Sequence, residues 1–196
     1  MDNVINIPRE NCRESAIETL LEPHLQYLYR LAFRLTGKSH DAEDLLHDVL
    51  VKVFAKQRML AGIENLRPWL TTTLSRTFID LKRKENRSLL RLFKPATDDN
   101  SISELDAIAS PRPGPEKESS RFQDKQIIAA ALSRLNAEQK TVCVLHDMEG
   151  YTLQELEEIL ATPIGTLKSR LHRAHATLKN YLQKNGTFPA YDSFSN

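Results

Sequence analysis

The stretch TLQELEEILATPIGTLKSRLHRAHATLK, residues 152–179, holds two short helical patterns with almost nothing between them. Thr152 followed by Glu155 is a capping-box pattern, and Leu153, Leu156, Ile159 and Leu160 continue it at helical spacing. Thr162-Pro163 restarts a helix at once, because proline suits a first helical position. The new helix carries Leu167, Leu171, Ala174, Leu178 and Leu182 on one stripe and fades near Asn185-Gly186. Two helices joined by so short a turn read as a helix-turn-helix.

Charge sorts the two helices. From Gly165 to Lys184 the cations are Lys168, Arg170, Arg173, Lys179 and Lys184, with no Asp or Glu, whereas the preceding helix carries Glu155, Glu157 and Glu158. A helix that approaches a polyanion must exclude acid, so the second helix is the candidate reader of nucleic acid. Lys168, His172, His175 and Lys179 share one flank and Arg170 and Arg173 the other, so both flanks of the apolar stripe reach phosphates. Base reading falls to the first exposed turns, Thr166, Lys168, Ser169, Arg170 and Arg173. Thr162 to Thr166 adds the positive end of the helix dipole, a phosphate anchor. The bland alternative is a solvated basic helix in a bundle.

Outward from this motif, the chain reads as all-α. Its 196 residues are 40% hydrophobic with a formal net charge of +1, so the basic residues are segregated rather than spread. No segment alternates with period two long enough for a strand. A first helix opens at Glu22-Pro23 and stops at Gly37; a second runs from about Asp41 to Lys56. A looser stretch over Gln57–Arg67 leads to a third helix that begins at Pro68 and ends in Lys82, Arg83, Lys84 and Arg87. Periodicity then fails, with Pro95, Pro111, Pro113 and Pro115 among Asp98, Asp99, Glu104 and Asp106. Helical spacing returns near Phe122, and Asn136 with Gln139 offers a capping pair for a helix closed by Gly150. The expected organisation is a tail over 1–20, a helical bundle over 21–93, a flexible acidic Pro-containing linker over 94–121, the helix-turn-helix domain over 122–185 and a tail over 186–196.

In the first domain the second helix carries Ala42, Leu45, Leu46, Val49, Leu50, Val53 and Phe54 on one broad apolar stripe and Glu43, Asp44, His47, Asp48 and Lys52 on its other face. Taken alone, such a charge run is a solvated face as readily as a docking surface. The third helix carries Thr71, Thr72, Thr73, Ser75 and Arg76, read as a hydroxyl-rich exposed side suited to single-strand backbone and base edges. Trp69 is either a stacking ring or a core anchor.

Other chemistry is not indicated. Cys143 with His146, and His172 with His175, lack the further ligand pair a metal centre needs, so no metal, no cofactor and no catalytic residue is expected. There is no Gly-rich phosphate loop or nucleophile elbow. Cys12 and Cys143 are the only cysteines, which fits a reducing compartment, and no stretch has the length of a membrane span. The residues alone leave open a stand-alone helix-turn-helix regulator that dimerises on a palindrome.

Pro163-Ile164-Gly165-Thr166-Leu167-Lys168-Ser169-Arg170-Leu171-His172-Arg173-Ala174 is similar, nearly residue by residue, to region 4 of the extracytoplasmic-function sigma factors of the sigma-70 family. Ala42-Glu43-Asp44-Leu45 through Phe54 resembles their region 2 helix, and Arg67-Pro68-Trp69-Leu70 with Ile79-Asp80-Leu81-Lys82-Arg83 resembles their promoter-melting segment. The resemblance covers roughly Leu21 to Arg87 and Ile127 to Leu182. It implies a cytoplasmic, non-enzymatic transcription initiation factor of stress responses that directs core RNA polymerase to promoters under an anti-sigma factor. Asp44, Leu45, His47, Asp48, Val51 and Lys52 would then contact core polymerase, whose β′ coiled coil and β flap are the implied docking points. Trp69, Thr72, Ser75, Arg76 and Arg83 would hold the −10 element, and Thr166, Lys168, Ser169, Arg170, His172, Arg173 and Lys179 the −35 element.

Departures are specific. His47-Asp48 replaces the family's Gln-Glu, Arg76 stands where an Asn commonly reads a flipped base, Glu157 replaces a small Ala, and Ala161 replaces the helix-ending Gly.

Overall fold

A computed structural model describes residues 9–60, 62–63, 65–92 and 126–184. The linker over 94–121 and the tail over 186–196 lie outside the described residues. The described secondary structure is entirely helical. In chain order it comprises α1 (Arg9–Thr36), α2 (Ser39–Ala55), α3 (Gln57–Leu60), α4 (Leu66–Leu92), α5 (126–133), α6 (Ala137–Cys143), α7 (Leu153–Leu160) and α8 (Ile164–Lys184).

The first helix does not open at Pro23; α1 starts at Arg9 and carries Pro23 inside it. A proline here forfeits one ladder bond, yet the buried stripe runs straight through it: Ile17, Leu21, Leu28, Leu31 and Leu35 lie on one face, and tertiary burial outweighs the local break. Gly37 closes α1 at φ +84°, its N–H donating to Phe33 O at 2.8 Å, a left-handed cap that a side chain would strain. The chain turns back within two residues into α2, which buries Ala42, Leu45, Val49 and Val53 at steps of three and four. The expected looser stretch contains the one-turn α3, and α4 starts two residues before Pro68, at Leu66.

Helix α4 is buried on two faces. Leu66, Leu70, Leu74 and Phe78 recur every four residues and pack against α1 and α2. The neighbouring face holds Thr71 and Ser75, both fully buried, and packs against α6 and α7. Thr71, Thr72, Thr73 and Thr77 satisfy their hydroxyls on the carbonyls of Arg67, Pro68, Trp69 and Thr73 respectively, one turn back, so they sit in a helix interior without orphaned donors. Part of the side read as exposed is therefore a packing surface.

Both expected capping boxes form. Asn136 Oδ1 accepts from Gln139 N–H at 2.8 Å, and Thr152 Oγ1 from Glu155 N–H at 3.2 Å, each with the reciprocal bond. Helix α6 widens into a π-helical turn, Val144–Met148, whose last bond runs from Glu149 N–H to Val144 O. The turn aims Asp147 at α8 and Glu149 at α1 and α4.

The buried apolar residues of the two halves join in one cluster, from Ile17 through Leu74 to Leu145, Leu167 and Ala174. Each fully buried leucine, such as Leu31, Leu70 or Leu145, contributes about 1.5–3 kcal/mol by leaving water.

Candidate nucleic-acid and polymerase interface

The helix-turn-helix is α7, a turn over Ala161–Pro163, and α8. Ala161 takes the left-handed conformation, φ 49° and ψ 47°, where its methyl meets the carbonyl crowding that glycine escapes. The turn is closed by Thr162 N–H donating to Glu157 O at 3.2 Å. Glu157, where the family has a small Ala, is exposed and accepts the Ile164 N–H on its carboxylate at 3.1 Å. In the free chain an acid thus occupies the start of α8, part of the anchor read for phosphate.

Leu167, Leu171 and Ala174 turn α8 toward the core, which leaves Thr166, Lys168, His172, Arg173 and Lys179 exposed. Ser169 is half-buried and donates to Thr166 O. Arg173 reaches Ser169 Oγ at 3.4 Å and stays exposed. Arg170 differs, with 22% of its side chain exposed and an ion pair to Glu138 at 2.5 Å. The exposed flank presents cations without a single acid on α8, the arrangement a duplex backbone recognises.

On α2, Asp44, His47, Asp48 and Val51 are exposed, Val51 at 55%. His40 approaches Asp44 at 3.4 Å. Lys52 is exposed along its stem and donates its ammonium proton to Thr77 Oγ1 at 2.9 Å, tying α2 to α4. Leu45 is a correction: it is 1% exposed in the core, so its place on the buried stripe decides its role and it supports the surface from below.

On α4, Arg76 and Arg83 are exposed, Thr72 and Trp69 half-buried, and the Trp69 ring packs on the core cluster. Ser75 is the second correction, fully buried with a hydroxyl that has no hydrogen-bond partner among the described residues. Arg83 is ion-paired to Glu138.

Sequence reading missed four residues, Tyr27, Glu138, Glu149 and Tyr151. Glu149, with 8% of its side chain exposed, is held by Arg34 and lies 4.0 Å from Arg67. The Thr71 hydroxyl donates to Arg67 O, so it accepts from Tyr27 at 3.0 Å and from Tyr151 at 3.2 Å. Burial pushes the Tyr27 hydroxyl up to about 12. The partners Thr71 of Tyr27 and Arg34 of Glu149 lie 44 and 115 residues away, beyond the reach of any local pattern.

The histidine pairs weighed for metal are not what the fold groups. Cys143 Sγ, an Asp147 carboxylate oxygen and a His175 ring nitrogen lie within 4.8 Å of one another. Hydrogen bonding accounts for the group: Asp147 Oδ2 accepts the Cys143 thiol at 3.2 Å and His175 Nε2 at 2.8 Å. Burial, then Asp147, pushes the thiol up to about 12, which opposes the thiolate a metal requires. His146 donates from Nδ1 to Tyr151 O at 2.7 Å and steadies the approach to α7.

These features define a DNA-binding helix-turn-helix protein with a second helical unit of its own. Residues 20–88 match Sigma-70 region 2 and residues 125–178 match Sigma-70, region 4; the chain belongs to the sigma-70 family, in its extracytoplasmic-function type. The ECF RNA polymerase sigma factor SigE of Mycolicibacterium smegmatis is 29% identical over 178 residues, 87% of this chain and 63% of that protein. The chain thus spans less than two thirds of SigE. SigL of Mycobacterium tuberculosis is 28% identical, covering 87% of this chain and 90% of SigL. The sigma factor RpoE of Bartonella quintana, solved in complex with the anti-sigma factor NepR, has 29% identity and a TM-score of 0.60, covering 86% of this chain and 97% of that one.

Proposed function

We propose that this chain directs core RNA polymerase to promoters, with α8 in the major groove of the −35 element, α4 on the opened −10 strand and the exposed face of α2 on polymerase. The observation that carries the reading is the pairing, on one chain, of an acid-free α8 in helix-turn-helix geometry with an exposed acidic α2 face. Thr166, Lys168, Ser169, Arg170, His172, Arg173 and Lys179 serve the −35 contact. Trp69, Thr72, Arg76 and Arg83 serve the −10 contact, and Asp44, His47, Asp48, Val51 and Lys52 serve polymerase.

The chain performs no catalysis of its own; strand opening draws on binding energy. No described helix is long and apolar enough to cross a membrane, and the site of action is the cytoplasm, on the nucleoid once holoenzyme forms. The RpoE structure holds an anti-sigma factor, and a protein of that class restrains this chain too.

Transcription from fragmented genomic templates with purified core polymerase tests the reading. Discrete starts that depend on the chain, and that fall at least tenfold with Asp44→Lys/Asp48→Lys, support it. No chain-dependent start on any template would sink it.

A further inference from the structure

Two of the acids on α7 are committed to helix starts. Glu155 takes the Thr152 N–H at 2.7 Å and closes the capping box of its own helix. Glu157 reaches across the turn instead, and its Oε1 accepts the N–H of Ile164, the first residue of α8, at 3.1 Å.

The turn offers α8 no nearer cap. Pro163 carries no acceptor on its side chain, and the Thr162 hydroxyl donates to Leu160 O at 3.2 Å. The Glu157 carboxylate therefore satisfies an N–H that the helix leaves open, at the end where the dipole favours an anion.

Position gives this cap a second effect. Ile164 lies one turn before Lys168, at the head of the flank that continues through His172 to Lys179. Lys168, His172 and Lys179 are exposed, and α8 carries no acid from Gly165 to Lys184. Glu157 thus sets one exposed negative charge at the head of a positive row. Among the described residues its carboxylate has an N–H partner and no ion pair.

A duplex offers that end of α8 two surfaces. The backbone presents phosphates, which an unguarded helix start binds well. The floor of the major groove presents base edges, among them the amino donors of cytosine and adenine, which a carboxylate can accept from. The acid repels the first surface and tolerates the second.

We propose that Glu157 makes α8 discriminate against DNA backbone. Its carboxylate penalises non-specific duplex, on which phosphates crowd the helix start, more than a −35 site, where the start sits in the groove. Specificity is a difference of affinities, so a group that weakens the wrong complex raises it without any new contact. This deepens the reading of α8 as the duplex reader and rests on it.

Glu157→Gln tests the charge, since the amide keeps an acceptor for the Ile164 N–H. Binding of the full chain to a random duplex and to a −35 duplex selected by the holoenzyme is followed by fluorescence anisotropy over a range of salt. The Gln variant should bind random duplex about three- to fivefold tighter, the effect of one charge about 5 Å from a phosphate in water. Its salt slope should steepen by up to about one unit as a phosphate takes the vacated place. The −35 duplex should gain less, so the ratio of the two affinities falls. Glu157→Ala should show the same gain with a lower melting temperature, because the cap is lost with the charge. Glu158→Gln, charge-matched and exposed on the same helix, should keep the native ratio.

Random-duplex binding by the Gln variant that is unchanged, weaker or absent at low salt would overturn the proposal. So would an equal gain on both duplexes, or an equal effect of Glu158→Gln, which would mean that net charge alone acts. A gain with Ala and none with Gln would assign the effect to the cap and overturn it as well. The random-duplex arm needs no promoter, so a chain that selects none would sink the promoter reading and leave this arm to decide the role of Glu157.

Discussion

Lys140, on α6, donates its ammonium proton to the carbonyl of Leu35 in the last turn of α1, at 3.1 Å and only 9% exposed. The carbonyl end of a helix favours a cation, but burial first and the Lys82 charge second lower the Lys140 pKa to about 8.

Lys140 therefore makes stability rise with pH across an alkaline window. Between about 8 and 10.5 the unfolded amine still holds a proton that the folded one has lost, so raising pH favours the fold. Denaturant melts of the native chain and Lys140→Met should diverge from pH 7 to 10.5 by roughly 2 kcal/mol in favour of the native chain. Parallel pH curves would show that the lysine is not buried as charge.

Ala161→Gly should stabilise the helix-turn-helix. A left-handed alanine costs about 1–2 kcal/mol, and glycine's extra unfolded entropy returns part of it, for a net gain of roughly 0.5–1 kcal/mol. A urea midpoint that falls instead would mean the turn relaxes around alanine.

Cys143 should resist thiol reagents. A thiol pushed up to about 12 by burial has little thiolate at pH 8, so peptide mapping should find alkylation slowed ~100-fold or more relative to urea-unfolded chain. Labelling at the unfolded rate would contradict the packing of α6 against α8.

Lys179→Ala and Arg173→Ala should separate positioning from reading. Losing a phosphate contact at Lys179 shallows the salt dependence of binding by about one unit on every sequence. Arg173→Ala should relax preference at one base pair by roughly 1–3 kcal/mol if its guanidinium reaches a guanine. Equal losses on all templates for both variants would refute the division.

The helix-turn-helix was legible because its signals are local: two capping boxes, a proline start and a charge sort fall within residues 136–184 and all reappear in the structure. The α2 stripe was legible for the same reason, although Leu45 belongs to its core side. Pro23 misled because a local breaker was overruled by a stripe continuing on both sides of it. Thr71 and Ser75 misled because small hydroxyl side chains can pack where apolar groups would, Thr71 by bonding its own helix and Ser75 without such a bond, and only the arriving α6 and α7 reveal it. Glu138 and Glu149 gave no signal, since Arg83, which Glu138 pairs with, and Arg34, which Glu149 pairs with, are 55 and 115 residues away.

Footprinting the holoenzyme assembled with this chain, on a promoter it selects, tests the central claim most directly. Two protected duplex segments should appear, one near −35 that weakens with Arg173→Ala and one near −10 whose thymines become permanganate-reactive only with polymerase present. A symmetric footprint produced by the chain alone, unchanged by polymerase, would contradict the account and mark a stand-alone regulator.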